Sequence, residues 1–493
     1  MTRIPVLLWS LPFVALQACC LKPVVVTGGE GPTANGVQAE TAMSVNKLGD
    51  ATVLTVTYND MSAQAAVQFT QTSRTTQAGA TLMGWSYSTD MGQTWTYGGR
   101  VQPNNQWPII WGDPGITHSV RDQRYVFIAN LALPQAKLAA IAPNGTISGP
   151  MTSGGACISR SVDGGKLFSL YQCVQTKEVN SNGDFYDGGN MASDGSGNIY
   201  AGWVNVQTST IHIYRAAGEG AQFQKLPNPF PAGTAGGHPR LRVDLDTGNL
   251  FVMALGMGGE LLLARWNGAA WSATWHTGLF AQGSVCIATD GSSSCAGTPV
   301  LRTALQFSFD VGSFGKANDH IRVLFTRGSA VNQRLYIAGG LCSLAQMQCG
   351  YVPQWGTGEG AADKKDSSFN PLIRAHRTPE MIQNSEASLW MGSHETYTPA
   401  NGKLTFAMGG VAMNQSPNNP PAFIYFAIFS LANRVVCADN RGYWGDYDDL
   451  QALGASVSGQ SILFGRTYTN SEPNCNYRWA FTSSPAHVGF TGP

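Results

Sequence analysis

Charge is scarce in this chain of 493 residues. Asp, Glu, Lys and Arg make up 12% of it, about half of the usual ~25%. The charge present is balanced, with 30 basic and 30 acidic residues. A neutral molecule has no overall field to draw in nucleic acid or an anionic membrane, so neither is expected as a direct partner. Helical periodicity is weak throughout; Leu131–Ile141 is long enough for a turn or two, closely bounded by Pro134 and Pro143. Beyond the first twenty residues, no apolar run reaches the ~18 residues of a spanning helix. Reaction signatures are missing as well. There is no Cys-x-x-Cys, no His-Glu-x-x-His and no Gly-x-Ser-x-Gly, and Gly256-Met257-Gly258-Gly259 lacks a P-loop lysine. Asp446-Tyr447-Asp448-Asp449 offers hard oxygens for Ca²⁺ but no EF-hand pattern, so it reads as a solvated acidic loop and no cofactor is expected.

What the chain has is apolar surface and turns. Hydrophobic residues make up 43%, enough for a large core. The 58 Gly and 25 Pro are turn-rich, yet below the ~25–30% of low-complexity chains. Thirteen Trp and 16 Tyr suit strands better than helix bundles.

The N-terminus reads as an export signal. Arg3 supplies a positive charge and Val6 to Ala18 is an uncharged apolar run too short to span a bilayer. Leu16-Gln17-Ala18-Cys19 resembles the lipobox of bacterial lipoproteins. That resemblance implies a signal peptide over 1–18, lipidation of Cys19, and anchoring to the outer membrane or cell envelope; ordinary secretion is the alternative. A linker over 19–35 is expected to follow. Eight further cysteines fall in near pairs: Cys157/Cys173, Cys286/Cys295, Cys342/Cys349 and Cys437/Cys475. In an oxidising compartment an even number reads as disulfides. Of the 105 connectivities that eight cysteines allow, neighbour pairing is the simplest.

A repeat sets the expected architecture. Glu40, Asp113, Asp187 and His238 each stand about twelve residues before an alternating apolar run such as Tyr125-Val126-Phe127-Ile128 or Ile199-Tyr200-Ala201-Gly202-Trp203. Turn residues such as Asp194-Gly195-Ser196-Gly197-Asn198 lie between, and strand, Gly/Asn turn, strand is a hairpin signature. Further starts are expected near Arg302 and Asp446. The starts lie 73, 74, 51, 64 and 144 residues apart, most of them close to a four-stranded antiparallel blade with its loops. The last interval holds either an insertion around 342–386 or an extra blade. The pattern predicts an all-β chain, a single β-propeller over 36–493, with six blades preferred and seven as the alternative. It carries no signal for an oligomeric state.

Ser88-Thr89-Asp90-Met91-Gly92-Gln93-Thr94-Trp95 and Ser161-Val162-Asp163-Gly164-Gly165-Lys166-Leu167-Phe168 share one spelling at one phase of the repeat. They resemble the Asp-box, or BNR repeat, of sialidases and related propellers. Asn59-Asp60, Gly112-Asp113-Pro114 and Trp444-Gly445-Asp446-Tyr447 also look like features of exported sialidase-like proteins. The resemblance implies that Ser88, Asp90, Gly92, Trp95, Ser161, Asp163, Gly165 and Phe168 build turns on the face away from an active site. It also implies a glycan or glycoconjugate as partner.

In a propeller, residues just before each innermost strand gather at one channel mouth. Glu40, Asp113, Asp187, His238, Arg302 and Asp446 are therefore expected to form a polar funnel, with Trp107, Trp111, Tyr186, Tyr443 and Trp444 near it. Sialidase chemistry implies an arginine clamp on a carboxylate, a Tyr–Glu nucleophile pair and an Asp acid/base. Matched by residue type, Asp113 is the acid/base, Arg240, Arg302 and Arg441 are the clamp, and Tyr443 or Tyr447 with Glu260 is the nucleophile pair. The Arg-Ile-Pro that commonly holds the first sialidase arginine occurs only at Arg3-Ile4-Pro5, inside the expected signal peptide. Two functions remain open: a sialidase-like glycoside hydrolase, or a non-catalytic propeller lipoprotein that binds glycans or proteins.

Overall fold

The structure is a computed structural model. It describes residues 41–60, 81–107, 110–132, 154–174, 186–281, 307–311, 321–325, 339–351 apart from 345, and 451 with their side chains; other strands named below are described by backbone alone. The described chain is all-β. Its one described helical element is a single 3-10 turn, Met257–Gly259. No described helix is long and apolar enough to cross a membrane.

The strands form antiparallel sheets that follow one another along the chain. Among the described residues, six sheets have four strands and one has five, and two small two-stranded pairings lie apart from them. Taken in chain order, one edge strand of each of the seven larger sheets, called its first strand, is Gln38–Leu48, Gly115–His118 (with Ile109–Ile110 on the same edge), Tyr186–Ser193, Ala235–Val243, Phe307–Gly312, Ser367–Arg377 and Asp449–Ala455. Each packs against the first strand of the next sheet, and Asp449–Ala455 packs back against Gln38–Leu48. The sheets are thereby arranged radially as a β-propeller, with the first strands innermost. Val24–Val25, inside the stretch expected as a linker, pairs with Phe481 and Ala480 and adds the outer strand of the last sheet. The long interval before Asp446 contains a complete sheet, Ser367–Arg377 to Ala422–Val435. Leu131 lies in the strand Val126–Leu133 rather than in a helical turn, because both faces of that segment are buried against apolar neighbours.

The core lies between sheets, so each central strand needs two apolar faces. Along Val126–Leu133, Val126 and Ile128 pack with Trp85 and Met83 of the preceding sheet. Phe127, Ala129 and Leu131 pack with Tyr186, Ile199 and Trp203 of the next. The alternation repeats along Leu250–Gly256, where Leu250 and Val252 face back and Phe251 and Met253 face forward. Each such buried side chain contributes about 1.5–3 kcal/mol. Disulfides join Cys157 to Cys173 and Cys342 to Cys349, each linking directly paired residues of the third and fourth strands of a sheet. Cys286, Cys295, Cys437 and Cys475 lie outside the described residues, as does Cys19.

Candidate functional site

The innermost strands share a defect. Between Ala39 and Ala42 two residues oppose one on the neighbouring strand, and the same holds between Asp187 and Asn190. The slip is larger between Gly236 and Arg240, and in the second sheet residues 111–114 separate the paired Ile110 and Gly115. A β-bulge bends the strand and re-aims its side chains. Asp187 and His238 stand within or at the edge of these bulges, and Asp113 stands in the equivalent interruption. Asp113 takes the left-handed conformation, with φ of 58°, uncommon for a residue with a side chain and found mostly in Asn, Asp and His.

The bulges bring side chains from three sheets together. His238 Nε2 lies 3.4 Å from Asp187 Oδ2, and Asp113 hydrogen-bonds the Asp187 carboxyl. The Gly188 N–H donates to Asp187 Oδ1 at 2.9 Å. Gly188 has φ of +63°, and a Cβ there would meet His238 Cγ at 2.2 Å, so glycine is required for the imidazole to approach.

Electrostatics define the charge state. Burial disfavours charge on Asp187, but the His238 charge, its hydrogen bond and the bond from Asp113 outweigh it and hold the carboxyl well below the usual range. Burial also disfavours an imidazolium at His238, yet the Asp187 carboxylate and the Asp113 charge raise it above 6.5 against the opposing Arg240. The group therefore presents an ionised Asp187, a cationic His238 and a carboxyl at Asp113, with the Arg240 guanidinium alongside.

Part of this group stands at a cavity of about 230 Å³ lined by the innermost strands; Asp113 and Asp187 do not line it themselves, but their chain neighbours Pro114 and Gly188 do. His238 and Arg240 line it, with Thr41, His118, Asn190 and Gln451 further along. Arg242 also lines it but bonds Leu241 O at 2.7 Å and lies 3.8 Å from Asp310 Oδ1. His118 receives or donates a hydrogen bond at Ser44 Oγ, 3.0 Å away, and burial pushes its imidazole down to about 4. Among the described residues no group of three or more His, Cys, Asp or Glu is arranged to hold a metal ion.

Of the residues expected at the funnel, Asp113, Asp187 and His238 are brought together, and Arg240, expected in the arginine clamp, stands near His238. Glu40 lies in the Gln38–Leu48 strand at the equivalent bulge, with its side chain outside the described residues. Arg302, Arg441, Tyr443, Trp444, Asp446 and Tyr447 lie outside them altogether. Glu260 begins a third strand, outward of the channel; its carboxylate accepts from Gly278 N at 2.9 Å and pairs with His276 Nδ1 at 2.8 Å. Trp107, Trp111 and Tyr186, expected beside a ligand, are instead buried in the core between sheets, because their rings pack among apolar side chains there. The Tyr186 hydroxyl is engaged by His212 Nδ1 at 2.9 Å and Tyr214 at 3.0 Å. Sequence reasoning gave no role to Asn190, whose amide oxygen accepts the Leu241 N–H at 2.8 Å. Nor did it signal that Asp60 is fully buried, bonded by Tyr97 at 3.0 Å and lying 3.3 Å from Arg100 Nε.

The two Ser-x-Asp segments join third to fourth strands, which places them at the opposite end of the sheets from the bulges. Their bonding matches. Asp90 Oδ1 accepts from Ser88 Oγ at 2.7 Å and Thr94 N at 2.9 Å, and Gly92 N donates to Ser88 Oγ. Asp163 Oδ1 accepts from Ser161 Oγ at 2.6 Å and from Lys166 N and Leu167 N, and Gly165 N donates to Ser161 Oγ. Burial alone would raise the Asp90 pKa, but the bonds from Thr94 and Ser88 prevail and lower it. Phe168 packs edge-on against Trp85 of the neighbouring sheet, centroids 5.4 Å apart. These aspartates spend their oxygens on their own turns.

No family model matches the chain, and no curated protein matches it. Solved structures similar to it include the Hadza microbial sialidase Hz136, at 14% identity over 72% of this chain and a TM-score of 0.38; the chain spans 63% of that protein. The NanB sialidase from Streptococcus pneumoniae is similar at 11% identity over 92% of this chain and 69% of its own, with a TM-score of 0.40. An α-L-arabinanase of Penicillium chrysogenum, complexed with arabinobiose, is similar at 11% identity over 93% of this chain and 97% of its own, also with a TM-score of 0.40.

Proposed function

We propose that this chain is an exported, seven-bladed, sialidase-like Asp-box propeller that binds a glycan at the channel mouth and hydrolyses it there. Seven blades are favoured over six because the innermost strands of seven sheets follow one another around a closed circuit. The observation that carries the functional reading is the meeting of Asp113, Asp187, His238 and Arg240 from three separate sheets, with His238 and Arg240 lining one cavity. A carboxyl set against a second carboxylate is suited to exchange a proton with a glycosidic oxygen and to act as acid/base there. An ionised carboxylate beside it favours the positive charge that develops at the anomeric carbon, and a guanidinium and an imidazolium favour an acidic sugar. Asp113 is accordingly the acid/base, with Arg240 the first member of an anion clamp that Arg302 and Arg441 complete. Tyr443 remains the candidate nucleophile. Glu260 is a weaker partner for it, since His276 and Gly278 occupy its oxygens.

Export through the N-terminal signal, with Cys19 lipidated, belongs to the same proposal; the two disulfides are in keeping with an oxidising compartment. Metabolic labelling with a palmitate analogue tests it, and loss of label in Cys19→Ser is the expected result.

The function is tested by release of 4-methylumbelliferone from a panel of acidic and neutral glycosides. Turnover of an acidic glycoside is expected, falling by about 10²–10⁴ in Asp113→Asn. If no glycoside is turned over while a glycan array still shows binding that Arg240→Gln abolishes, the non-catalytic alternative replaces this reading.

A further inference from the structure

Asp113 owes its position to a residue of a different sheet. Its N–H, exposed by the break in the innermost strand, donates to Asn59 Oδ1 at 2.9 Å. Asn59 is the penultimate residue of the strand Ala51–Asp60 and is 6% exposed. A Cβ on Gly112 would lie 2.0 Å from Asn59 Oδ1, so the amide is fitted closely against the backbone that leads into Asp113. The next residue, Asp60, is fixed by Tyr97, by Arg100 and through its own N–H to Leu82 O. The same device recurs two sheets on, where Asn190 Oδ1 accepts the N–H of Leu241, next to Arg240.

We infer that Asn59 is a positioning residue: its amide oxygen clasps the Asp113 N–H across the sheet boundary and holds that residue left-handed, with its carboxyl on Asp187. The inference rests on the site proposed above, but it concerns geometry that exists whether or not a glycan is cleaved. The clasp supplies an acceptor to a backbone donor that the interrupted ladder leaves unpaired, and it makes one φ region the only comfortable one for Asp113. An amide does this without charge. A carboxylate at position 59 accepts the same N–H but adds a negative charge beside Asp113 and Asp187. The charged and titratable groups facing this cluster are Asp113, Asp187, His238 and Arg240, with the Asp60–Arg100 pair behind Asn59.

The test is the NMR titration of the His238 imidazole in the full chain, its resonance assigned by loss in His238→Gln. Asn59→Ala releases Asp113 from its place near His238, so the midpoint falls, by about half a pH unit. Asn59→Asp retains the acceptor and adds negative charge, so the midpoint rises by a similar amount. Opposite shifts establish the clasp; a midpoint that stays put in both variants overturns it. Far-ultraviolet circular dichroism identifies a variant that has failed to fold, and if Asn59→Ala does so, Asn59→Asp and Asn59→Ser carry the comparison. Ser keeps a shorter acceptor and is expected to lie between wild type and Ala. Opposite shifts in a protein that turns over no glycoside leave the clasp standing and remove only the hydrolase reading.

Discussion

Aspartates at the two ends of the propeller have opposite fates. At one end Asp90 and Asp163 are encircled by donors from within five residues of themselves. At the other, Asp113 and Asp187 meet each other and a histidine although 74 and 51 residues separate the three along the chain. The difference is one of backbone. A regular hairpin end folds over its own aspartate and satisfies it locally. A bulge in the innermost strand turns its side chain out of the ladder, toward the axis, where the nearest partners belong to other sheets. Local satisfaction makes a stable turn; long-range satisfaction makes a site whose charge state depends on several elements at once.

The comparison breaks first at catalysis. Asp113→Asn is expected to lower kcat/KM on an acidic glycoside by about 10²–10⁴. Asp163→Ala should leave kcat/KM per folded molecule unchanged. Equal losses in both variants erase the distinction between the two ends. Next is stability. Asp163→Ala removes the acceptor of the exposed Lys166 and Leu167 N–H groups, which water can then solvate, and should cost about 1 kcal/mol in denaturant unfolding. Asp113→Asn, which keeps a hydrogen-bonding side chain, should cost less than half as much.

A further effect comes from pH. His118 lines the channel with its folded pKa lowered to about 4. A depressed histidine leaves the unfolded chain binding more protons between about 4 and 6.5, so stability falls as pH drops through that window. The loss is about 2 kcal/mol once the residue's partial exposure is allowed for. His118→Asn should flatten the curve between pH 6.5 and 4; an unchanged slope assigns the loss to other groups.

Much of the architecture was legible in the sequence. Polar starters, Gly/Asn turns and apolar runs recur, and the runs are continuous because central strands are covered on both faces. The spelling of the Ser-x-Asp turns was legible for the same reason that they are structural: every bond in them is local. The convergence of Asp113, Asp187 and His238 could be inferred from their shared phase. The bulges could not, since one extra residue changes no composition or period. Asn59 and Asn190 were hidden because their work is to accept an N–H in another sheet, which no local pattern encodes. The aromatic residues misled: Trp107, Trp111 and Tyr186 follow the same hydrophobic alternation whether they face a ligand or a neighbouring sheet.

The most direct test of convergence is a double-mutant cycle on unfolding free energy with Asp187→Asn and His238→Gln at pH 5.5. Asp187, held low, and His238, held high, are both charged there. Each enhances the ionisation of the other. The raised histidine stabilises fully below its unfolded value of ~6.5, and the lowered aspartate above its unfolded value of ~3.9, so pH 5.5 lies within both windows. A coupling of about 1 kcal/mol or more is expected. Additivity within about 0.3 kcal/mol means that the two residues do not meet, and contradicts a site assembled from separate sheets.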